Sequence, residues 1–578
     1  MKKVLTYSEF SVFSNARCSA SAHSVDGEKT KFDFVWQMPV SDDEAIEICF
    51  SVSCADAVCS WYPTCIMKRE LNICDIETSA AWSVPLIALC NSVGNSVFSV
   101  AASDSVRVLK YSACINERTS EMDFKILVNL RQFGTQNEYS LTLYTQKDER
   151  PFYEMCRNVS DWWEGIYDLK KLPAPEQIYE PCYSSWYAFH HKFTSDELIS
   201  EAKKAKEYGM ELFILDDGWN TDDISQASKY AGDWKESKKK IPDMKALSDE
   251  MHKLGMKFAV WFSVSFLGKA SENYKNFYNM TMDESKIFQS GILDPRYPQV
   301  REYIISNYER ALKEWDLDGF KLDFIDLFQM HRNTAFKEGM DIFSVEEAVE
   351  KLLTDAYARM KKIKSDVIIE FRQSYVGPNM RKYATMFRAV DCPVHYRQNR
   401  VSTVDMRLTS GKTVVNSDMI MWNKDAAAHQ AALQILNCIF SVIQFSVRID
   451  TLTAEQAKMV KFWLGFAKKY RKILTEEQIK PEEMQNFYPV ICAEDGERRI
   501  TAIYENNKIA SLDLNKENLV INATDEDCVY IRTDGSADVS AEAYDCTGEI
   551  AQSGNVTLGG IAKVFVPKSG LLILRQNG

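Results

Sequence analysis

The sequence predicts a multidomain α/β protein: a central (β/α)8 barrel between an N-terminal antiparallel β-sandwich and a C-terminal antiparallel β domain. From about residue 180, short apolar runs alternate with segments of helical periodicity, a pattern typical of parallel strands joined by crossover helices. On either side, apolar and polar residues alternate with the period of two that half-buried strands show. We place the three domains at residues 1–165, 166–480 and 481–578.

Composition and charge narrow the function classes. The 578 residues are 46% hydrophobic, which is enough for a large core, and their formal net charge is -13. This charge and the lack of a basic block argue against nucleic acid and anionic membranes as partners. No apolar run approaches the roughly 20 residues of a membrane span. Fifteen cysteines without a Cys-x-x-Cys and seven histidines without a metal-binding spacing predict a cytoplasmic protein with reduced thiols, no cofactor and no metal.

The N-terminal strands are predicted from side-chain alternation. Residues 31–38 place Phe32, Phe34, Trp36 and Met38 on one face, and residues 47–52 and 125–130 behave similarly. Trp162 and Trp163 follow in the connector to the barrel. We interpret this pair as the core of a domain interface rather than as a platform for carbohydrate.

Eight strands and several helices are predicted in the barrel. The strands are 182–187, 211–217, 257–263, 318–324, 367–373, 384–391, 414–420 and 442–447. The helices are 196–208, 243–254, 299–315, 345–364 and 426–438, with a closing helix at 454–470. Ser195 is the predicted N-cap of the first helix and Gly209 its left-handed C-terminal residue. Eight strands over about 270 residues fit a (β/α)8 barrel.

After Pro481 the pattern returns to short strands. They are predicted at 499–504, 509–514, 529–532, 563–566 and 571–574, with turn residues between them. These strands indicate a small antiparallel β domain.

Charged and aromatic side chains follow six of the predicted barrel strands, where the reacting groups of such barrels lie. In chain order the candidates are Trp186, Asp216, Asp217, Trp261, Lys321, Asp323, Arg372, Gln373, Arg388 and Asp391. A single Asp after a strand often does no more than cap the next helix. Carboxylates at three strand ends, framed by tryptophans, are instead typical of a sugar site, in which aromatic faces cover C–H surfaces and charged groups bind hydroxyls.

A series of motifs resembles glycoside hydrolase family 36 and, more distantly, family 27, the α-galactosidases of clan D. In chain order these motifs are Trp186, Asp216-Asp217-Gly218-Trp219, Gly232-Asp233-Trp234, Lys240-Ile241-Pro242-Asp243, His252 with Gly255-Met256-Lys257, Trp261, Leu293-Asp294-Pro295 and Asp318-Gly319-Phe320-Lys321-Leu322-Asp323. Their order and spacing make the resemblance specific, whereas Asp-Asp-Gly-Trp alone would not. The flanking β domains also match the architecture of the family.

The resemblance implies a retaining, exo-acting α-galactosidase that releases terminal α-linked galactose by double displacement. It implies that Asp323 is the nucleophile and that Asp391 is the acid/base, with Arg388 just before it. Asp216 and Asp217 correspond to the pair that binds the galactose 4- and 6-hydroxyls. The remaining candidates, Trp186, Trp261, Lys321, Arg372 and Gln373, are expected to bind the substrate.

Three segments depart from the family pattern. Family 36 usually has Cys-x-x-Gly-Gly after the fifth strand, where this chain has 372–378 with no Cys and one Gly. Leu322 stands where the family prefers Trp, and residues 387–391 replace Trp-x-Ser-Asp. These changes leave the catalytic pair in place and alter the surroundings of the sugar's 2-position and of the aglycone.

Other functions stay open at this point. Within the same chemistry they are an α-N-acetylgalactosaminidase and an α-galactosyl transferase. From other classes they are a non-catalytic sugar-binding barrel and a metal-dependent hydrolase, which the shortage of histidines disfavours. His395 is interpreted as a loop hydrogen-bonding residue, Asp326 as a loop-capping or supporting residue, and Asp418 and Trp422 as either rim or structural residues. A homo-oligomer stays open as well, since the sequence does not give the oligomeric state.

Overall fold

The computed structural model describes residues 1–225, 227–329 and 335–576, and its fold confirms the predicted class. An antiparallel pair of sheets is followed by a nearly closed barrel of eight parallel strands and then by a C-terminal sheet. Within the described residues, no helix is both long and apolar enough to span a bilayer. All fifteen cysteines are free.

Two sheets pack face to face in the N-terminal part. The first contains Lys2–Tyr7, Phe10–Ser14, Ala45–Ser53, Ile73–Thr78, Leu109–Asn116 and Glu121–Asn129. The second contains Cys18–Asp26, Lys29–Trp36, Ala57–Trp61, Leu86–Asn91, Asn95–Ala102, Glu138–Gln146 and Arg150–Pro151. Their alternating inward residues, among them Phe32, Phe34 and Trp36, form one buried core.

A connecting helix, Phe152–Tyr167, joins the sandwich to the barrel. Trp163 on this helix is fully buried and donates from Nε1 to the carbonyl oxygen of Ala102 at 2.9 Å. Trp162 packs on Tyr144 of the sandwich. Both contacts fit the interpretation of this pair as interface core.

A loop of the sandwich also reaches the barrel mouth. The amide of Ser83 donates to the carbonyl oxygen of Ser374, which lies just after the fifth barrel strand, at 2.8 Å. The hydroxyls of Thr64 and Ser83 are 2.9 Å apart and hold this loop within the sandwich. The sandwich therefore supports the loop that follows the fifth strand.

The eight barrel strands are shorter than predicted. They are Cys182–Ser184, Leu212–Leu215, Lys257–Ser263, Gly319–Asp323, Ile368–Arg372, Met386–Arg388, Val414–Asn416 and Gln444–Phe445. Neighbouring strands pair in parallel in this order, and the first also pairs with the eighth. The seventh and eighth meet through isolated bridges, which is why the barrel is nearly rather than fully closed.

The helices outside the barrel match most of the predicted ones. They are Ser195–Glu207, Met244–Lys253, Pro298–Trp315, Val345–Ile363, Tyr396–Thr409, Ala428–Leu436, Ala454–Lys469 and Arg471–Thr475, with one short turn, Trp186–Phe189, after the first strand. The predicted N-cap is wrong by one residue: Thr194, not Ser195, caps the first helix, because Thr194 and Glu197 form a reciprocal capping box. Gly209 has the predicted left-handed conformation, with φ +83°.

Two features were not predicted. A small sheet of Phe266–Gly268, Thr281–Ser285 and Ser290–Leu293 lies between the third strand and its helix. The C-terminal sheet has strands Lys480–Glu482, Val490–Glu494, Arg498–Ile503, Ile509–Ser511, Glu517–Asn522, Cys528–Tyr544, Ile550–Phe565 and Leu571–Gln576. Two of these strands, at 528–544 and 550–565, form one long antiparallel ribbon where only short strands were expected.

Candidate active site

The barrel interior is layered from apolar to polar. At its amino-terminal end, one small buried cluster closes the barrel, with Leu212, Ile214, Ala259, Ile368, Met386 and Val414 among its members. Side chains on a strand alternate, so the residue two positions after an inward residue also points inward. Lys321 and Asp323 are related in this way, as are Glu370 and Arg372. The charged candidates therefore lie at the carboxyl-terminal mouth, above an apolar floor.

Asp216 and Asp217, at the end of the second strand, have different partners. Lys321 donates from Nζ to Oδ2 of Asp216 at 2.5 Å, and both side chains are almost fully buried. Nε2 of His191 lies 3.2 Å from Oδ2 of Asp217. In the part of the chain that the structure describes, the other oxygen of Asp217, Oδ1, is buried with no hydrogen-bond partner. This free acceptor is suited to a ligand hydroxyl.

Gly218 explains why the turn after these aspartates needs a glycine. Its φ is +102°, and a Cβ there would lie 2.6 Å from Cδ2 of His191. The glycine thus lets His191 approach Asp217. Burial lowers the pKa of His191, but the hydrogen bond and charge of Asp217 outweigh this and raise it. The histidine cation is therefore favoured beside this carboxylate.

The tryptophans of the mouth differ in their roles. Trp186 is half-buried on the first loop, with its ring 4.9 Å from that of His190 and 5.6 Å from that of His191. Trp219 is fully buried and donates from Nε1 to the carbonyl oxygen of Trp261 at 2.9 Å. Trp186 is thus available to a ligand, whereas Trp219 belongs to the core.

Asp323, at the end of the fourth strand, accepts four hydrogen bonds from described residues, three through Oδ1 and one through Oδ2. Its Oδ1 accepts from Nε of Arg372 at 2.6 Å, from the amide of Phe324 at 2.8 Å and from the hydroxyl of Tyr375 at 3.4 Å. Its Oδ2 accepts only from Nε1 of Trp261, at 3.0 Å. The oxygen Oδ2 therefore keeps a lone pair for chemistry.

Asp323 is held ionised in spite of its burial. Burial alone would raise the pKa of Asp323, but the cations of Arg372 and Lys321 outweigh this and hold it well below the usual value. An ionised carboxylate with an oxygen that accepts a single hydrogen bond has the properties of a nucleophile.

The fifth strand ends in two side chains with fixed orientations. Arg372 contacts Asp323 through Nε, and its two terminal nitrogens contact Asp326 at 3.1 and 3.3 Å. Gln373 accepts from the amide of Val390 at 3.1 Å, which orients its amide group. Among the described residues, its Nε2 is buried with no hydrogen-bond partner. Gln373 therefore has a free donor, while its acceptor oxygen is bonded to Val390.

The sixth strand brings two carboxylates to one arginine. Nη1 of Arg388 lies 2.8 Å from Oδ1 of Asp391 and 2.6 Å from Oδ1 of Asp418. Asp391 is 55% exposed, whereas Asp418 is fully buried and also accepts from the amide of Cys392 at 2.7 Å. Partial burial raises the pKa of Asp391, but Arg388 outweighs it and the net shift is downward. Burial raises the pKa of Asp418 to about 6 against the opposing effect of Arg388.

All ten predicted site residues lie at the same mouth, and contacts link several of them directly. The pairs are Asp216 with Lys321, Trp261 with Asp323, Arg372 with Asp323, and Arg388 with Asp391. His395 instead caps the helix Tyr396–Thr409 through Nδ1, which fits the interpretation of a loop hydrogen-bonding residue.

Three residues were missed or undervalued as site residues. Asp418 follows the seventh strand, so the same strand-end rule would have selected it. His191 and Tyr375 lie in loops, where neither periodicity nor motif marks them.

A metal site has little support in the described part of the chain. Ligand atoms of Asp249, His252 and Asp316 lie within 4.8 Å of one another. Lys245 pairs with Asp249, and Nε2 of His252 lies 2.7 Å from Oδ2 of Asp318. These residues already form an ion-pair network on the outside of the barrel.

Comparison with known proteins agrees with this architecture. The melibiase family model matches residues 179–374, which contain the first five barrel strands, and the match ends before Arg388 and Asp391. The segment aligned with Alpha-galactosidase Mel36A of Lactobacillus acidophilus is 30% identical over 198 residues, 32% of this chain and 26% of that protein. A type blood alpha-D-galactosamine galactosaminidase of Flavonifractor plautii is 27% identical over 221 residues, 33% of this chain and 19% of that protein. These alignments span about a quarter or less of the relatives' length.

Solved structures match over the whole chain. The GH36 alpha-galactosidase AgaA of Geobacillus stearothermophilus, in complex with raffinose, aligns with a TM-score of 0.65 at 13% identity, covering 100% of this chain and 85% of that one. The alpha-galactosidase from Lactobacillus brevis aligns with a TM-score of 0.65 at 13% identity, covering 99% and 86%. The chain thus has the fold of these solved structures, a barrel with flanking β domains. Together with the melibiase match and the aligned relatives, this fold confirms the resemblance to glycoside hydrolase family 36 seen in the sequence.

Proposed function

We propose that the protein is a retaining, exo-acting α-galactosidase that takes a small α-galactoside as substrate. The observation that carries the proposal is the pair of strand-end carboxylates with opposite surroundings. Asp323 is buried and ionised, and its Oδ2 accepts one hydrogen bond, from Trp261, whereas Asp391 is exposed at the rim. The comparisons support this assignment, since the aligned relatives include several proteins named alpha-galactosidase.

The geometry supports a double displacement. Oδ2 of Asp323 attacks the anomeric carbon while the protonated carboxyl of Asp391 donates to the leaving oxygen. Asp391 then deprotonates a water, which releases the sugar from Asp323 with retained configuration. In the free protein Arg388 favours the ionised form of Asp391. A bound substrate would exclude water from the mouth, and this desolvation raises the pKa of Asp391 toward the protonated form that acid catalysis requires.

The sugar would be oriented by the second strand end. Asp216 is fixed by Lys321, and the free Oδ1 of Asp217 accepts a hydroxyl proton. Axial O4 and O6 of galactose lie on one side of the ring, so both can reach this pair. The aromatic face of Trp186 is placed to cover the C–H surface of the sugar.

Turnover of a panel of nitrophenyl α-glycosides tests the proposal, with the anomer of the first-formed product read by NMR. We expect galactoside cleavage that releases α-galactose first and is unchanged by EDTA. Initial release of β-galactose would exclude retention, and loss of activity in EDTA would favour a metal-dependent hydrolase. Binding without turnover of any glycoside would favour a non-catalytic sugar-binding barrel. Repeating the reaction with added sugar acceptors measures the fraction of the galactose that is transferred to a sugar rather than to water.

We also propose a cytoplasmic location, which the fifteen free cysteines support.

A further inference from the structure

The guanidinium of Arg372 bridges two carboxylates of the same short segment. Its Nε lies 2.6 Å from Oδ1 of Asp323, while Nη1 and Nη2 lie 3.1 and 3.3 Å from the two oxygens of Asp326. Asp326 therefore binds the two terminal nitrogens of the same guanidinium whose Nε binds Asp323. The candidate nucleophile and Asp326 share one positive charge.

The local backbone explains how two aspartates three residues apart reach one arginine. Phe324 has a left-handed conformation, with φ 61° and ψ 29°, and begins the 3-10 turn Ile325–Leu327. This turn folds Asp326 back toward the mouth. The guanidinium also lies 5.2 Å from the ring centre of Phe324 and 5.7 Å from that of Tyr375. The position of Arg372 is thus fixed from several sides.

We infer that Asp326 is a positioning residue for the reaction, which holds Arg372 against Asp323 and shares its positive charge. The inference rests on the proposed glycosidase function. In a desolvated site, an arginine with one counter-anion would draw electron density from that carboxylate and weaken it as a nucleophile. With Asp326 as a second anion, Asp323 stays ionised and oriented but keeps more of its nucleophilic strength.

Protonation of Asp326 should then slow the reaction. The charged and titratable groups that face it are Arg372, Asp323 and Tyr375. Burial raises the pKa of Asp326 to about 6, against the lowering effect of Arg372. Asp326 is therefore ionised above pH 6 and shares Arg372 there, and below pH 6 it becomes neutral and leaves Arg372 to Asp323 alone.

The test compares wild type with Asp326→Asn, which keeps the size of the side chain and removes its charge. At pH 7.5 we expect kcat to fall about tenfold or more, because a small loss of alignment or nucleophilicity is felt directly in the chemical step. KM should change less than about threefold if substrate contacts are unaffected. Asp326→Glu, which keeps the charge, should recover a large part of kcat. Asp355→Asn, on the outer helix Val345–Ile363, is the control for loss of an ion-paired aspartate outside the mouth.

The pH dependence separates positioning from a structural role. The ratio of wild-type to Asp326→Asn kcat should be large at pH 7.5 and should shrink toward about one at pH 5, where Asp326 of wild type is protonated and as uncharged as the asparagine of the variant. Other titrating groups cancel in this ratio. A ratio that does not change with pH, or a variant with wild-type kcat at pH 7.5, overturns the inference. Thermal melts show whether Asp326→Asn is misfolded, and if it is, Asp326→Glu supplies the pH comparison. A Glu variant whose kcat keeps the wild-type pH dependence supports the inference. A Glu variant whose kcat is independent of pH between 5 and 7.5 overturns it. If wild type cleaves no glycoside at all, the proposed function fails instead.

Discussion

Nζ of Lys321 lies 2.5 Å from Oδ2 of Asp216, and this ion pair joins the second barrel strand to the fourth. Lys321 is two residues before Asp323, so the residue that orients Asp216 is on the strand that ends in the candidate nucleophile. In the proposed reaction, recognition of the sugar and attack on it would thus depend on one connected group of side chains. A substrate that misplaces its 4-hydroxyl is expected to be misaligned at its anomeric carbon as well.

Removal of the Asp323 carboxylate should nearly abolish hydrolysis. We expect Asp323→Ala to lower kcat/KM by about four orders of magnitude or more, because the covalent step loses its nucleophile. Azide or formate should restore part of the activity from the vacated face and give a product of inverted configuration. Asp355→Ala, on an outer helix, should be close to wild type. Activity of Asp323→Ala within tenfold of wild type would remove Asp323 from this role.

The protein should prefer galactosides to glucosides. Asp217 has a buried, unpartnered Oδ1, and a glucoside with an equatorial 4-hydroxyl would leave that acceptor unfilled. We expect kcat/KM for nitrophenyl α-galactoside to exceed that for the α-glucoside by about a hundredfold or more. Asp217→Asn should lower the ratio of kcat/KM for the galactoside to that for the glucoside. Equal rates on the two epimers would contradict the galactose assignment while leaving the glycosidase assignment intact.

A free 2-hydroxyl should be preferred to a 2-acetamido group. Arg372 and Gln373 are long and oriented by their partners, in a loop that lacks the Cys and the paired Gly of the family pattern. Kinetics on nitrophenyl α-galactoside and its N-acetyl analogue should favour the hydroxyl sugar by about tenfold or more. Gln373→Ala should open space and reduce this preference. A higher kcat/KM for the acetamido sugar in wild type would show that the loop is placed differently around the substrate.

Asp318 should stabilise the barrel in a pH-dependent way. Its oxygens contact Nε2 of His252 at 2.7 Å, Nζ of Lys257 at 3.0 Å and Nζ of Lys364 at 3.0 Å. Burial raises the pKa of Asp318, but these partners outweigh it and the net shift is downward. Because the native pKa is lowered, the stabilisation is present above the unfolded pKa, about 3.9, and is lost as the pH falls through the native value.

Asp318→Asn measures this contribution. At pH 7 we expect it to lower the free energy of unfolding by about 3 kcal/mol, because it breaks a buried ion pair. The difference in the free energy of unfolding between wild type and Asp318→Asn should become smaller as the pH falls from 5 toward 3. Urea unfolding followed by tryptophan fluorescence at several pH values provides the measurement. A difference that is the same at every pH would mean that the charge of Asp318 is not the cause.

The sequence was sufficient for the fold class because the barrel strands are apolar runs and their ends carry the polar residues. It was insufficient for the helix Tyr396–Thr409, which is buried on several sides. Polar residues on that helix, Asn399, Arg400 and Asp405, are buried among apolar ones, and each has a polar partner. Helical periodicity of hydrophobic residues is a weak signal for a helix that buries polar and apolar residues together.

The candidate site was predicted from strand ends, but its connectivity was not. Arg372 was expected to meet the sugar, and the structure shows that its guanidinium is already divided between Asp323 and Asp326. Likewise, Nη1 of Arg388 donates to both Asp391 and Asp418. Such sharing depends on distances between strands that are far apart in sequence, and spacing along the chain carries no information about them.

The hydrogen bond between Ser83 and Ser374 has a consequence for any attempt to shorten this protein. An excised barrel would contain every candidate catalytic residue, yet the loop next to Arg372 and Gln373 would lose the support that the sandwich gives it. Grafting a foreign N-terminal module onto the barrel would remove the same support. For protein engineers, the unit to transplant is therefore the barrel together with its N-terminal sandwich.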